Sequence, residues 1–143
     1  MSGEPDYQFV DTNIFVYAYD NANTKKQQQA RKLIQQLWQQ RAGCASIQVL
    51  QEFFVTTTRK LANPLAPADA TQIISDLGLW RIHQPKVEDV LSAIQIQQRH
   101  QLSFWDSMIV RSANQLGCAI IWTEDLNDGQ QIEGCEIRSP FIS

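Results

Sequence analysis

The run Cys118-Ala119-Ile120-Ile121-Trp122 constrains the fold more than any other stretch of the chain. Consecutive apolar residues with no polar alternation read as a strand buried on both faces, since a half-exposed strand alternates. A strand of that kind needs helices above and below it, which implies crossover connections and a largely parallel sheet. Its flanks agree. Gly117 closes the preceding helix, and Thr123-Glu124-Asp125-Leu126-Asn127-Asp128-Gly129 is loop chemistry.

The rest of the chain supplies the partners. Tyr7 to Val10 is a short β-type run, followed by a turn carrying Asp11 and Asn13 and a first helical segment from Ile14 to Tyr19. Thr24 is placed to cap a helix running to about Arg41, with Ala30, Leu33, Ile34, Leu37 and Trp38 on one stripe and Gln, Lys and Arg opposite. Gly43 reads as the stop of that helix. Ser46 is a candidate N-cap for a helix from Ile47 to about Leu61, and Pro67 starts another that ends near Gly78. Leu79 to His83 reads as a strand, and Val87 to Arg99 as a helix. Ser103 can cap the next helix, with Asp106 at capping-box spacing and Ile109, Val110, Ala113 and Leu116 forming its apolar stripe. The tail holds at most one short strand, around Glu136 to Arg138. The expectation is one domain over residues 1–143, an α/β fold with three α/β/α layers and a mainly parallel central sheet.

In such sheets ligands bind outside the carboxyl ends of the strands. Asp11 directly follows the first strand and Asp125 stands three residues after the last apolar one. Glu52 lies in the second turn of the Ser46 helix and Asp106 in the first turn of its own. If both helices start at the same sheet edge, all four carboxylates share one crevice. Each residue also has a plainer reading, as turn residue, helix cap or surface acid. Together they repel, and must take up protons or recruit a cation. Oxygen ligands without His or Cys suit Mg²⁺ or Mn²⁺, and a cation so held is equipped for phosphodiester hydrolysis. Asn13, Ser107 and Thr123 stand within two residues of these acids and can orient them. Asp128 can join the site or serve the Asn127-Asp128-Gly129 turn.

Composition narrows the function classes. A formal charge of −3 excludes a generally basic nucleic-acid coat. With the four acids assigned to a cation site, the remainder is neutral to slightly positive, which is compatible with transient contact to a phosphate backbone. His83 and His100 lie apart from each other and from the cysteines, which argues against a zinc site. Cys44 and Cys118 fall in strand-like runs and read as small buried hydrophobes of a reducing cytoplasm. No apolar run is long enough to span a bilayer, and Met1 to Asp6 is polar and acidic, unlike a secretory signal.

The segments Val10-Asp11-Thr12-Asn13, Glu52, Trp105-Asp106-Ser107 and Thr123-Glu124-Asp125-Leu126, in that order and spacing, resemble the PIN-domain nucleases. The similarity is greatest to the VapC-type toxins of toxin–antitoxin modules, and it spans Phe9 to Phe141. It implies a metal-dependent endoribonuclease acting on RNA, single-stranded or structured, a homodimer, and a small antitoxin partner. Asp11, Glu52, Asp106 and Asp125 would be the metal-binding acids, supported by Asn13 and Thr123. The Gln-rich helix after Thr24 is a departure from the family pattern. Two other classes compete. A metal-dependent phosphatase or phosphoryl acceptor could use Asp11, although Asn13 stands where a haloacid-dehalogenase-like motif has its second Asp. A PIN-like module could bind RNA or protein without cleaving it.

Overall fold

The computed structural model describes residues 6–141; Met1 to Pro5, read above as a non-signal N-terminus, lie outside the described residues. The chain runs β1 (Gln8–Val10), α1 (Thr12–Tyr17), α2 (Thr24–Gln40), β2 (Gly43–Ser46), α3 (Ile47–Arg59), α4 (Pro67–Leu77), β3 (Arg81–His83), α5 (Val87–His100), α6 (Phe104–Gln115), β4 (Ile120–Trp122), β5 (Gln131–Ile132) and β6 (Cys135–Arg138). The strands form one sheet in the order β3-β2-β1-β4-β6-β5, parallel except for β5 against β6. One group of helices packs as α1 on α2 and α3, with α3 on α4. The other is the α5–α6 pair, with α6 lying across β2, β3, β4 and β6. This is the expected three-layer α/β/α arrangement.

Strand β4 is interior to the sheet, flanked by β1 and β6, but it takes only Ile120–Trp122 of the apolar run, and of these only Ile121 is fully buried while Ile120 and Trp122 are half-buried. Phe9, Val10, Ile121 and Ile137 are fully buried there, and the core continues through Ile14, Phe15, Val49, Phe53 and Val110. Cys44, Cys118 and Cys135 are free thiols inside it. The caps at Ser46 and Ser103 are formed, each hydroxyl accepting a backbone N–H three residues on, from Val49 at 3.3 Å and from Asp106 at 3.0 Å.

Three local expectations are corrected. Asn23, not Thr24, caps α2, its side chain accepting from the Lys26 N–H. The helix then ends on Arg41 in the left-handed region (φ 54°), so Gly43 is not its stop. Gly43 instead opens β2, where an added Cβ would sit 2.6 Å from the Trp80 ring; glycine is needed for that close approach. The tail holds two strands rather than one. Glu133 and Gly134, with φ of 49° and 84°, turn β5 into β6, the pair of positive φ angles that a two-residue hairpin loop of type I′ demands.

The strand order determines where a site can form. From β1 the chain steps outward to β2 and β3, then returns to place β4 on the other side of β1. The crevice between the carboxyl ends of β1 and β4 is therefore the switch point of the sheet. Val10 pairs with Trp122 in register, so the residues emerging at that crevice are Asp11 and Thr123.

Candidate active site

Asp11 leaves β1 with its N–H bonded to the Trp122 carbonyl (2.9 Å) and becomes the N-cap of α1. Its Oδ1 accepts the Thr12 N–H at 2.7 Å, and its Oδ2 accepts the Thr123 hydroxyl at 2.8 Å. The side chain is buried, and burial pushes its carboxyl from 3.8 up to about 7. Thr123 and the Thr12 N–H pull the other way, whereas Asp125 and Glu52 add to the rise. No cation among the described residues pairs with it.

The other acids arrive from three further elements. Glu52 projects from α3, and its Oε1 accepts the Thr12 hydroxyl at 2.7 Å, so the residue after Asp11 positions the second acid. Asp106 sits in the first turn of α6, half-buried, its carboxyl raised by burial and by the charges of Asp125 and Glu52. Asp125 follows β4, with its N–H donated to the Thr123 hydroxyl at 3.0 Å. Asp11, Glu52, Asp106 and Asp125 all line one open cleft of about 640 Å³, together with Asn13. A second cleft, of about 720 Å³ between α1, α2 and α4, is lined mainly by apolar groups and holds one acid, Asp76.

Thr123 is the hub. Fully buried, it donates to Asp11 and accepts from Asp125, and the Asn13 amide reaches it at a long 3.5 Å. Ser107 and Asp128 do not line the cleft. The Ser107 hydroxyl donates to the Ser103 carbonyl (2.8 Å) inside α6, and Asp128 Oδ1 accepts the Ser139 N–H (2.8 Å), pinning the C-terminal segment to its turn. Asp128 thus serves its turn, and Ser107 is a buried helix residue. Residues that sequence reasoning missed are Thr12 and the α3 wall, Gln48, Thr56 and Lys60. The α3 residues recur at the four-residue spacing of Glu52, which was a usable signal; nothing pointed to the Thr12–Glu52 bond.

The donor chemistry suits a hard divalent cation: carboxylate oxygens without His or Cys, and a buried Asn13 Oδ1 that has no hydrogen-bond partner. As the side chains stand, no three His, Cys, Asp or Glu groups among the described residues come close enough to share one ion. Uncompensated carboxylates repel one another.

The PIN domain family model matches residues 9–128. No curated protein matches the sequence. Among solved structures the chain is similar to a DNA-bound VapBC from Salmonella typhimurium, at 17% identity and a TM-score of 0.66, covering 95% of this chain and 99% of that one. It is similar to a chain of a toxin–antitoxin complex from Klebsiella pneumoniae, at 15% identity and a TM-score of 0.70, over 94% and 98%. It also matches a Mycobacterium tuberculosis VapC described as a sarcin–ricin-loop-cleaving toxin, at 18% identity and a TM-score of 0.62, over 82% and 91%. At these identities the solved structures speak for the fold, and the family model, spanning most of the sequence, settles membership: the chain belongs to the PIN domain family.

Proposed function

We propose that this protein is a metal-dependent endoribonuclease that cleaves RNA, the toxin of a type II toxin–antitoxin module. The observation that carries the reading is the shared cleft of Asp11, Glu52, Asp106 and Asp125, in which burial raises the Asp11 carboxyl to about 7 with no cation among the described residues beside it. A site built from mutually repelling acids is stabilised by whatever positive charge it binds.

Asp11, Glu52, Asp106 and Asp125 would hold Mg²⁺ or Mn²⁺, which when bound supplies Lewis-acid polarisation of a phosphoryl oxygen and offsets the charge that builds on it. The protein's own groups do the positioning. Thr123 fixes the Asp11 carboxylate in rotation, and Thr12 does the same for Glu52. The Ser103 cap holds the first turn of α6 and with it the direction of Asp106. Packing Asp11 at the base of the cleft limits water around it, which strengthens its interaction with any bound charge.

The toxin role rests on likeness of fold to the VapBC and toxin–antitoxin structures above, and it brings with it a small antitoxin partner and a homodimer acting in the cytoplasm. No helix among the described residues is long and apolar enough to cross a membrane. The test is cleavage of labelled single-stranded and stem–loop RNA with Mg²⁺, with Mn²⁺ and with chelator. Cleavage that needs the metal and is lost in Asp11→Asn supports the proposal; metal-independent cleavage, or none with either RNA, refutes it.

A further inference from the structure

The cleft has a direction, set by α3. Gln48, Glu52, Thr56 and Lys60 follow one another along its wall at four-residue spacing. The adjacent stripe, Val49, Phe53 and Thr57, is fully buried in the core, so the helix cannot rotate the lining stripe away. From Gln48 to Lys60, the C-cap of α3, is about 18 Å along the helix, with Glu52 roughly 6 Å from one end and 12 Å from the other.

The two ends differ in chemistry. At the first, the Gln48 amide donates to the Trp105 carbonyl (3.3 Å), joining α3 to the start of α6. Trp105 itself lines the cleft and is 61% exposed, with Phe104 edge-on at 5.0 Å. A large indole left in water at the edge of a cleft is the arrangement that a stacking partner stabilises. At the other end stands Lys60, the single cation among the described lining residues. It makes no ion pair among the described residues, whereas Lys26, across the rim behind Tyr17, is paired with Glu124. The acids of the cleft, Asp11, Asp20, Glu52, Asp106 and Asp125, repel a polyanion, and Lys60 is the group that can hold a phosphate there.

We propose that a single RNA strand lies along α3, with one base stacked on Trp105 on one side of the acids and one phosphate held by Lys60 on the other. This deepens the nuclease reading and rests on it. Stacking on an indole tolerates any base, and a lysine contacts phosphate as a point charge, so the pair sets the strand path rather than the sequence.

The test uses the full chain and a labelled adenosine dodecamer, with Ca²⁺ replacing Mg²⁺ and strand integrity checked on a gel. Affinity is read by anisotropy across a salt series. Trp105→Ala should bind about tenfold more weakly, and Trp105→Phe should recover most of the loss. Lys60→Ala should lower the slope of log affinity against log salt by about 0.7, the share of one single-strand phosphate contact, and Lys60→Arg should keep it. In cleavage assays Trp105→Ala should raise KM and leave kcat nearly unchanged, with a melting temperature close to the parent's. Unchanged binding in Trp105→Ala, or an unchanged salt slope in Lys60→Ala, overturns the strand path. If the parent still cleaves RNA with metal, the nuclease reading survives that failure. A parent that neither binds nor cleaves refutes both.

Discussion

Asp11 and Asp89 are buried almost equally, at 5% and 4% exposure, yet the protein treats them in opposite ways. Asp89, in the first turn of α5, takes Arg111 Nε at 2.9 Å, the Lys86 N–H at 2.8 Å and His83 Nε2 at 3.3 Å. Burial pushes its carboxyl up, but these partners outweigh burial and hold it below the ordinary carboxylate value. His83 is shifted down, by burial first and by Arg111, and its Nδ1 meets the Ser112 hydroxyl at 2.7 Å. The order Ser112, His83, Asp89 is that of a hydrolase triad, but Ser112 is fully buried, so the cluster ties β3, α5 and α6 together instead. Asp11 has two hydroxyl or amide donors, two acidic neighbours and no cation among the described residues. Both carboxylates are hydrogen-bonded, but only Asp89 is matched by positive charge; Asp11, at the switch point of the sheet, is not.

Substitution separates the two. Asp11→Asn should reduce metal-dependent RNA cleavage by on the order of a hundredfold or more, since even residues that only orient metal ligands cost 10- to 100-fold. Asp89→Ala strands Arg111 and should destabilise the fold by about 3–5 kcal/mol. The expected drop in melting temperature is on the order of 10 °C. Cleavage by the folded fraction should be little affected. If Asp89→Ala melts like the parent, the structural half of the comparison is wrong.

The pH dependence of stability in chelator sharpens the contrast. A carboxyl raised from 3.8 to about 7 costs the native state nothing below pH 4 and progressively more as pH rises to about 7, by up to about 4 kcal/mol. The Asp89 pairing has the opposite sign, present above pH 4 and lost as pH falls through its lowered value. His83, lowered as well, adds stability as pH rises toward 6.5. Differencing isolates Asp11: Asn at position 11 should gain on the parent between pH 4 and pH 7 and hold a constant lead above. A gap that does not change with pH removes the burial argument. Smallest in stability is Thr123→Val, about 1 kcal/mol for the lost hydrogen bonds. Its cleavage rate should nevertheless fall by about 10- to 100-fold, because Asp11 and Asp125 lose their shared anchor.

This asymmetry also shaped what the sequence disclosed. The site acids stand at places that pattern alone marks: after an apolar run, or in an early helical turn behind a Ser cap. Strand β4 and the caps at Ser46 and Ser103 were legible for the same reason. Asp89 was not, because its partners His83 and Arg111 come from β3 and α6, and pairing at such separation leaves no local period. Ser107 and Asp128 look like neighbours of the site in sequence but turn away from it. A helix carries Ser107 into the core one residue after Asp106, and the Asn127–Gly129 turn uses Asp128 for Ser139. Strand β5 is two residues long, too short to show alternation, and only Glu133-Gly134 hinted at its hairpin.

The most direct test is thermal unfolding at pH 7.5 with and without millimolar Mn²⁺, for the parent, Asp11→Asn and Asp89→Asn. A cation held by the four acids stabilises the native state by mass action. The expected result is a rise of several degrees in the parent, little or none in Asp11→Asn, and a parent-like rise in Asp89→Asn from a lower starting point. An equal rise in the parent and Asp11→Asn, or none in the parent, would contradict the assignment of the cleft as a cation site.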